Sequence, residues 1–210
     1  MGGAAQIIRF LGLEDPAFRG GARPAPGDIT GDGRADLVVS AGFLGGPRVA
    51  LFDGASLGTG RTPVKLVGDF FAFEDTLRNG SFVAAGDITG DGRADPVFGG
   101  GPGGGPRVRV FDGAALLAAG PFTRLDAIPA ARRANFFAGD PGLRGGVRVA
   151  VRDADGNADD RAGLVTGSGE GEASRVRLYR SATLLAGTPA ADQEFDPFAG
   201  AVLANGVFVG

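Results

Sequence analysis

The stretch GDITGDGRAD occurs at residues 27–36 and again, unchanged, at residues 86–95, and a weaker copy, DADGNADD, lies at residues 153–160. In both intact copies, side chains with oxygen atoms stand at positions 1, 3, 5 and 9, counted from the first aspartate. These side chains are Asp28, Thr30, Asp32 and Asp36 in the first loop, and Asp87, Thr89, Asp91 and Asp95 in the second. Oxygen ligands on alternating residues, with glycines that let the backbone turn sharply, are what a hard cation such as Ca²⁺ requires. The sequence therefore predicts a Ca²⁺ site in each of these two loops.

The acidic loops belong to a longer repeat. Each loop is followed by a short apolar run, a Gly-rich turn, a second apolar run and an aromatic cluster. Enrichment in β-branched and aromatic residues between Gly, Pro and Asp predicts four short strands per repeat. A repeat of about 40–60 residues with four strands is typical of a β-propeller blade. We predict an all-β chain that forms a single propeller or part-propeller over residues 1–210, with repeats at 22–80, 81–146 and 147–206. Residues 1–21 would then be a partial blade end and residues 207–210 a partial blade start.

Aromatic residues recur at fixed places in the repeat. One place is occupied by Phe52, Phe111 and Tyr179, and another by Phe70, Phe71, Phe136 and Phe195. Packing between adjacent repeats requires such recurrence. We therefore expect these rings to form the core between neighbouring blades.

Composition limits the classes of function. The hydrophobic fraction of 43%, together with 40 Gly and 13 Pro, is that of a folded chain rich in turns. Because the chain has no His and no Cys, nucleophile systems of the Ser-His and Cys-His kinds are excluded, and we expect no catalytic residues and no enzyme activity. A net charge of −3 argues against nucleic acid as a partner. No apolar run approaches the ~20 residues of a membrane-spanning helix.

The pattern D-x-T-G-D-G-R-A-D, followed by G-G-P-R-V-x-x-F-D-G and then F-F-A-F, resembles the FG-GAP (VCBS-like) repeat family. This family includes the calcium-binding blades of the integrin α-subunit propeller. The resemblance implies a β-propeller in which the acidic loop joins the first and second strands of a blade. It also implies that the carbonyl oxygens of Arg34 and Arg93 complete the two sets of Ca²⁺ ligands. An extracellular or cell-surface location and a role in adhesion follow from the same likeness. No signal peptide precedes the first strand-like residues, so we expect a part of a larger secreted protein.

The third loop and the two intact loops each leave an alternative open. In the third loop Asp153, Asp155 and Asn157 keep the first three ligand positions, but Arg161 stands where the ninth-position acid should be, so that Asp159 or Asp160 would have to replace the acid. A two-residue offset develops before Val165, which aligns with Val97. A third Ca²⁺ site therefore stays open. For the intact loops, the alternative is an Asx-turn hairpin in which the carboxylates cap backbone N–H groups and bind no metal.

The sequence favours a non-catalytic, Ca²⁺-binding propeller module that acts as an extracellular scaffold, adhesion or self-assembling element. The alternative is a carbohydrate-binding, lectin-like module or an accessory domain of a carbohydrate-active enzyme. A closed propeller needs four to eight blades, and only three repeats are present. We therefore expect a homo-oligomer that closes the ring, although a longer propeller and a small fourth blade built from the terminal strands stay open. A protein or glycan partner is also open.

Overall fold

A computed structural model describes residues 6, 8–119, 130–153, 161–187 and 189–210. These residues form three four-stranded sheets and one two-stranded sheet, all antiparallel, which confirms the predicted all-β class. The bounds of the first sheet are β1 (Ala22–Gly27), β2 (Asp36–Ala41), β3 (Arg48–Phe52) and β4 (Phe70–Phe71). Those of the second are β5 (Ser81–Gly86), β6 (Asp95–Gly100), β7 (Arg107–Phe111) and β8 (Arg132–Phe137).

The third four-stranded sheet repeats this arrangement. It consists of β9 (Val147–Arg152), β10 (Gly163–Ser168), β12 (Val176–Tyr179) and β13 (Gln193–Phe195). A pair that the sequence analysis did not predict, β11 (Glu172–Ala173) and β14 (Val202–Leu203), forms the two-stranded sheet. In each four-stranded sheet the strands are neighbours in chain order, so each repeat folds as a simple meander.

Three short helical segments follow the third strands of the sheets. They are a 3₁₀ turn (Gly54–Ser56), α1 (Gly113–Ala118) and α2 (Ser181–Leu185). Asp53 and Asp112 cap the first two, because their carboxylates accept hydrogen bonds from the N–H groups of Ala55 and Ala115. Among the described residues, no helix is long and apolar enough to cross a membrane.

The sheets pack side by side through their first strands, with β1 against β5 and β5 against β9. Because the second sheet is covered on both faces, its strand β6 is buried at Val97 and Phe98 alike. One buried apolar cluster lies between the first and second sheets and another between the second and third.

The predicted inter-repeat aromatic core is present at most of its positions. The rings of Phe70 and Phe111 lie 6.0 Å apart, and those of Phe136 and Tyr179 lie 5.1 Å apart. Phe195, at the equivalent place in the third sheet, is instead 51% exposed. The recurrence therefore ends where the described sheets end.

The two partial strands expected at the chain ends do not form. The described residues 8–21 and 207–210 contain no strand. Both segments nevertheless pack where the repeat pattern places them. The Phe10 and Phe52 rings pack edge to face with their centroids 4.9 Å apart, and the Val207 N–H donates to the Ser168 carbonyl at 2.9 Å.

Candidate metal centre

The two intact acidic loops join β1 to β2 and β5 to β6, and their backbone N–H groups are bonded in the same way. The threonine differs, because the Thr30 hydroxyl donates to Asp28 Oδ1 at 3.4 Å and the Thr89 hydroxyl makes no such bond. In the first loop the carboxylate of Asp28 accepts hydrogen bonds from the N–H groups of Gly31, Asp32 and Gly33, at 2.7, 3.1 and 2.8 Å. Asp87 makes the equivalent three bonds in the second loop. Gly31 and Gly33 have φ values of 73° and 83°, which glycine adopts without strain. The repeated sequence thus folds into two copies of one Asx-turn hairpin.

The aspartate at position 9 is the buried anchor of each hairpin. Asp36 Oδ2 accepts hydrogen bonds from Ile29 N and Thr30 N at 2.9 and 2.8 Å, and its Oδ1 accepts one from Gly54 N at 2.8 Å. The side chain is almost fully buried. The carboxylate therefore ties the acidic hairpin to the 3₁₀ turn that follows β3.

Asp95 makes the same three bonds in the second hairpin, to Ile88 N, Thr89 N and Gly113 N. Burial raises the pKa of Asp95 to about 6, although the three N–H donors favour the charged form. This carboxylate is consequently poised to gain a proton in mildly acidic solution.

Some oxygen atoms in the hairpins have no hydrogen bond among the described residues. The carboxylate of Asp32 accepts only the Arg34 N–H, through Oδ1 at 2.9 Å, so its Oδ2 is open; Asp91 is held in the same way. The buried Thr89 hydroxyl has no partner in hydrogen-bonding geometry among the described residues, although it lies close enough to Asp95 to lower that pKa. These atoms stand at positions 3 and 5, where the sequence predicts metal ligands.

The acid at position 1 is exposed and held in its charged form. Slight burial raises the pKa of Asp28, but the hydrogen bonds from Gly33, Gly31 and Asp32 outweigh that effect and bring it below its ordinary value. Within the described ranges, no three acidic side chains converge closely enough to hold a metal ion. The hairpins are therefore organised around backbone N–H donors, with a smaller set of oxygen atoms left open.

The arginine at position 7 of the second hairpin has a contact that the sequence analysis missed. The Arg93 guanidinium donates hydrogen bonds to the carbonyl oxygens of Ile29 and Thr30 in the first hairpin, and Ala94 N donates to Asp28 O at 2.7 Å. The repeated Arg-Ala pair was the available signal, because an identical side chain in each copy is able to make an identical contact with the preceding repeat.

The third loop differs from the other two, and the strand register locates the two-residue offset that the sequence indicates. Ala162 N donates to Asp87 O at 2.6 Å, as Ala94 N does to Asp28 O, so Arg161 is the structural equivalent of Arg93. Gly163 pairs with Arg152 just as Asp95 pairs with Gly86. Position 9 is thus Gly163 rather than Arg161, because the extra two residues precede it. Asp153 follows β9, whereas the predicted ligands Asp155, Asn157 and Asp159 lie outside the described residues.

A second candidate site is a groove of about 410 Å³ that is lined by residues following the first sheet and by the turn between β6 and β7. Phe137, which is 45% exposed, lies on its wall. Arg107 donates a hydrogen bond to Glu74 at 2.7 Å, and the side-chain amide of Asn79 donates to the Pro102 carbonyl. The groove thus combines an aromatic face with polar groups.

No protein-family model matches the chain, and a search of curated proteins finds no significant relative.

Proposed function

We propose that the chain is a non-catalytic, Ca²⁺-binding β-propeller module that serves as an extracellular scaffold or adhesion element. The observation that carries the proposal is the identity of the two acidic hairpins, each of which leaves the position-5 carboxylate with an open oxygen. In Asp32 and Asp91 one carboxylate oxygen makes the Asx-turn bond to the N–H two residues on. The second oxygen of each side chain has no part in that turn or in the bonds made by the acids at positions 1 and 9.

The first hairpin would hold the ion through Asp28, Thr30 and Asp32, with the carbonyl oxygen of Arg34. The second would use Asp87, Thr89, Asp91 and the carbonyl of Arg93. Asp36 and Asp95 would contribute mainly by fixing the shape of the loop, since each already accepts three N–H bonds. The bound ion would neutralise the carboxylates at positions 1 and 5 and cross-link the tip of the hairpin. With so few open carboxylate oxygens, we expect an affinity of ~10⁻⁴–10⁻³ M, as in extracellular modules.

The propeller part of the proposal is supported by the way in which the sheets repeat. Each sheet is a four-stranded meander, and its first strand lies next to the first strand of the following sheet. Blades arranged around a common axis require this order. Such a module offers a rigid surface for assembly, in agreement with the resemblance to integrin-type repeats.

Equilibrium dialysis or titration calorimetry with Ca²⁺ tests the metal proposal. We expect two sites per chain, and we expect the double variant Asp32→Asn/Asp91→Asn to weaken binding about tenfold or more through the loss of charge. Asp53→Asn is the matched control, because this acid caps a 3₁₀ turn outside the hairpins. Absence of binding at millimolar Ca²⁺, with a melting temperature unchanged by EDTA, would leave the hairpins as plain Asx turns.

Carbohydrate recognition is the second candidate, and the groove favours it. Sugar faces stack on aromatic rings and bond to amide and charged groups, and the groove brings Phe137 together with Asn79 and Arg107. A glycan array tests this candidate. Binding that Phe137→Ala abolishes and Phe43→Ala leaves intact would place a glycan in the groove.

A further inference from the structure

One face of the third sheet is not covered by another four-stranded sheet, whereas its counterparts in the first two sheets are. In the first sheet the positions concerned are Val38, Val49, Leu51 and Phe70, each at most 3% exposed beneath the second sheet. By strand register, their equivalents in the third sheet are Val165, Val176, Leu178 and Phe195. These four side chains instead line an open groove of about 440 Å³, to which the C-terminal residues 208–210 also contribute. Phe195 is 51% exposed and Val165 and Leu178 are half-buried, whereas Val176 is buried.

The opposite end of the described structure is covered by the chain's own N-terminal segment. Phe10, Leu13 and Phe18 pack on the face of the first sheet that includes Val39 and Phe52. The Phe10–Phe52 contact, at 4.9 Å, is the counterpart of the Phe70–Phe111 contact between sheets, at 6.0 Å. Phe10 therefore occupies the place that the last strand of a preceding sheet would fill.

The glycine at the start of each repeat also distinguishes a covered junction between sheets from an open one. Gly80, Gly146 and Gly206 have φ values of 68–75°, and a Cβ on any of them would lie within 2.6 Å of a backbone oxygen of the preceding sheet. Gly21 has the same conformation, with φ at 77°, yet a Cβ there would meet no atom of the described residues within 4 Å. The first sheet thus keeps the geometry of a sheet-to-sheet junction without a sheet on its outer side.

We propose that the uncovered face of the third sheet docks onto the first sheet of a second copy of this chain, by the same contacts that join the sheets within one chain. Phe195 of one copy takes the place of Phe10 on Phe52 of the other, and the segment at Gly21 takes the place of the segment at Gly206. In the single chain, the N-terminal and C-terminal segments occupy these contact positions. In the dimer, the corresponding segments of the other copy replace them. Two copies joined in this way at both ends supply six blades, within the four to eight of closed propellers.

This inference rests on the propeller part of the proposed function and not on its metal sites, because the docking face contains none of the residues of the two intact hairpins. Light scattering on a sizing column, over a wide range of concentrations and with or without EDTA, is the first test. We expect a mass of twice the 21.0 kDa chain in both buffers. A dimer without Ca²⁺ binding overturns the metal proposal alone, and Ca²⁺ binding by a persistent monomer overturns this inference alone.

Two substitutions on the opposing faces have opposite expected effects. Phe195→Asp removes the docking ring and should raise the dimer dissociation constant about tenfold or more. Phe10→Ala weakens the contact of the N-terminal segment with Phe52, with which the second copy competes. This substitution should therefore lower the dimer dissociation constant. Phe137→Asp is the matched control, since Phe137 is 45% exposed in β8 of the second sheet, which belongs to neither docking face. Equal effects of Phe195→Asp and Phe137→Asp would overturn the assignment.

Cross-linking gives a second measurement that does not depend on a variant's affinity. Because the chain has no Cys, chains with Phe195→Cys and chains with Phe52→Cys carry one thiol each. A short bismaleimide should link the mixed pair, whereas either variant alone should yield little product. Efficient linking within the Phe195→Cys sample would indicate a face-to-face dimer and would refute the head-to-tail arrangement.

Discussion

Replacing Asp36 by alanine tests whether the acidic hairpin is held together from within. The carboxylate accepts three backbone hydrogen bonds, two from its own loop and one from Gly54 in the 3₁₀ turn after β3. Its loss leaves the N–H of buried Ile29, and two half-buried N–H groups, without an acceptor. A hydrogen bond to a charged group contributes about 1.5–3 kcal/mol, less where water replaces the lost partner. We therefore expect the free energy of unfolding to fall by about 3–5 kcal/mol.

Asp32→Ala is the matched control in the same loop. It removes a carboxylate of the same charge, but one that is exposed and accepts a single N–H bond. The expected loss is about 0.5–1 kcal/mol. Urea unfolding followed by circular dichroism in EDTA measures both variants without any contribution from a metal. If both variants lose the same amount, the buried aspartate is not the anchor of the hairpin and the reasoning fails.

Three further predictions concern single positions. Gly80→Ala should destabilise the monomer by several kcal/mol, because its Cβ would lie 2.4 Å from a backbone oxygen just after β2. Gly21→Ala has open space in the single chain and should lose only about 1 kcal/mol for its positive φ. Urea unfolding at concentrations where the chain is monomeric compares the two, and equal losses would contradict the packing. Because the pKa of Asp95 is raised to about 6, this group contributes stability that is fully present below its ordinary value of 3.8 and is lost as pH rises to about 6, up to about 3 kcal/mol. Urea titrations in metal-free buffer should show this slope as the difference between the chain and Asp95→Asn, and parallel pH profiles would refute it. Arg93→Met removes the hydrogen bonds between the two hairpins and should lower the free energy of unfolding by about 1–2 kcal/mol. Arg34→Met, on the exposed first hairpin, should change the free energy of unfolding little.

The sequence was sufficient to predict the sheets because the information is local and repeated. Strand composition and turn glycines specify each meander over a few residues, and the recurrence of Phe70 and Phe136 identifies the contact between sheets. The hydrogen-bond partners of the buried aspartates could not be predicted from the sequence. Asp36 bonds to Gly54 at a distance of 18 residues along the chain, and no local pattern connects the two.

The third loop shows why counting along a repeat is less reliable than strand register. Linear counting places Arg161 at the position of the ninth-position acid. The pairing of Gly163 with Arg152 shows that the two additional residues lie earlier in the loop. A loop accepts an insertion at little cost, whereas a shift of one residue in a strand would exchange its buried and exposed faces. Ligand positions that follow an insertion must therefore be numbered from the strand.

The same hairpin geometry determines what a cation is able to add. Because Asp36 and Asp95 already bind backbone N–H groups, the loops are ordered before any ion arrives. Binding of Ca²⁺ would then lose little free energy to ordering of the loop, and the stability that it adds would follow from mass action alone. At an ion concentration a hundredfold above the dissociation constant, this amounts to about 2.7 kcal/mol per site. A metal effect much larger than this would mean that the hairpins are not ordered in advance, and the internal anchor would have to be reconsidered.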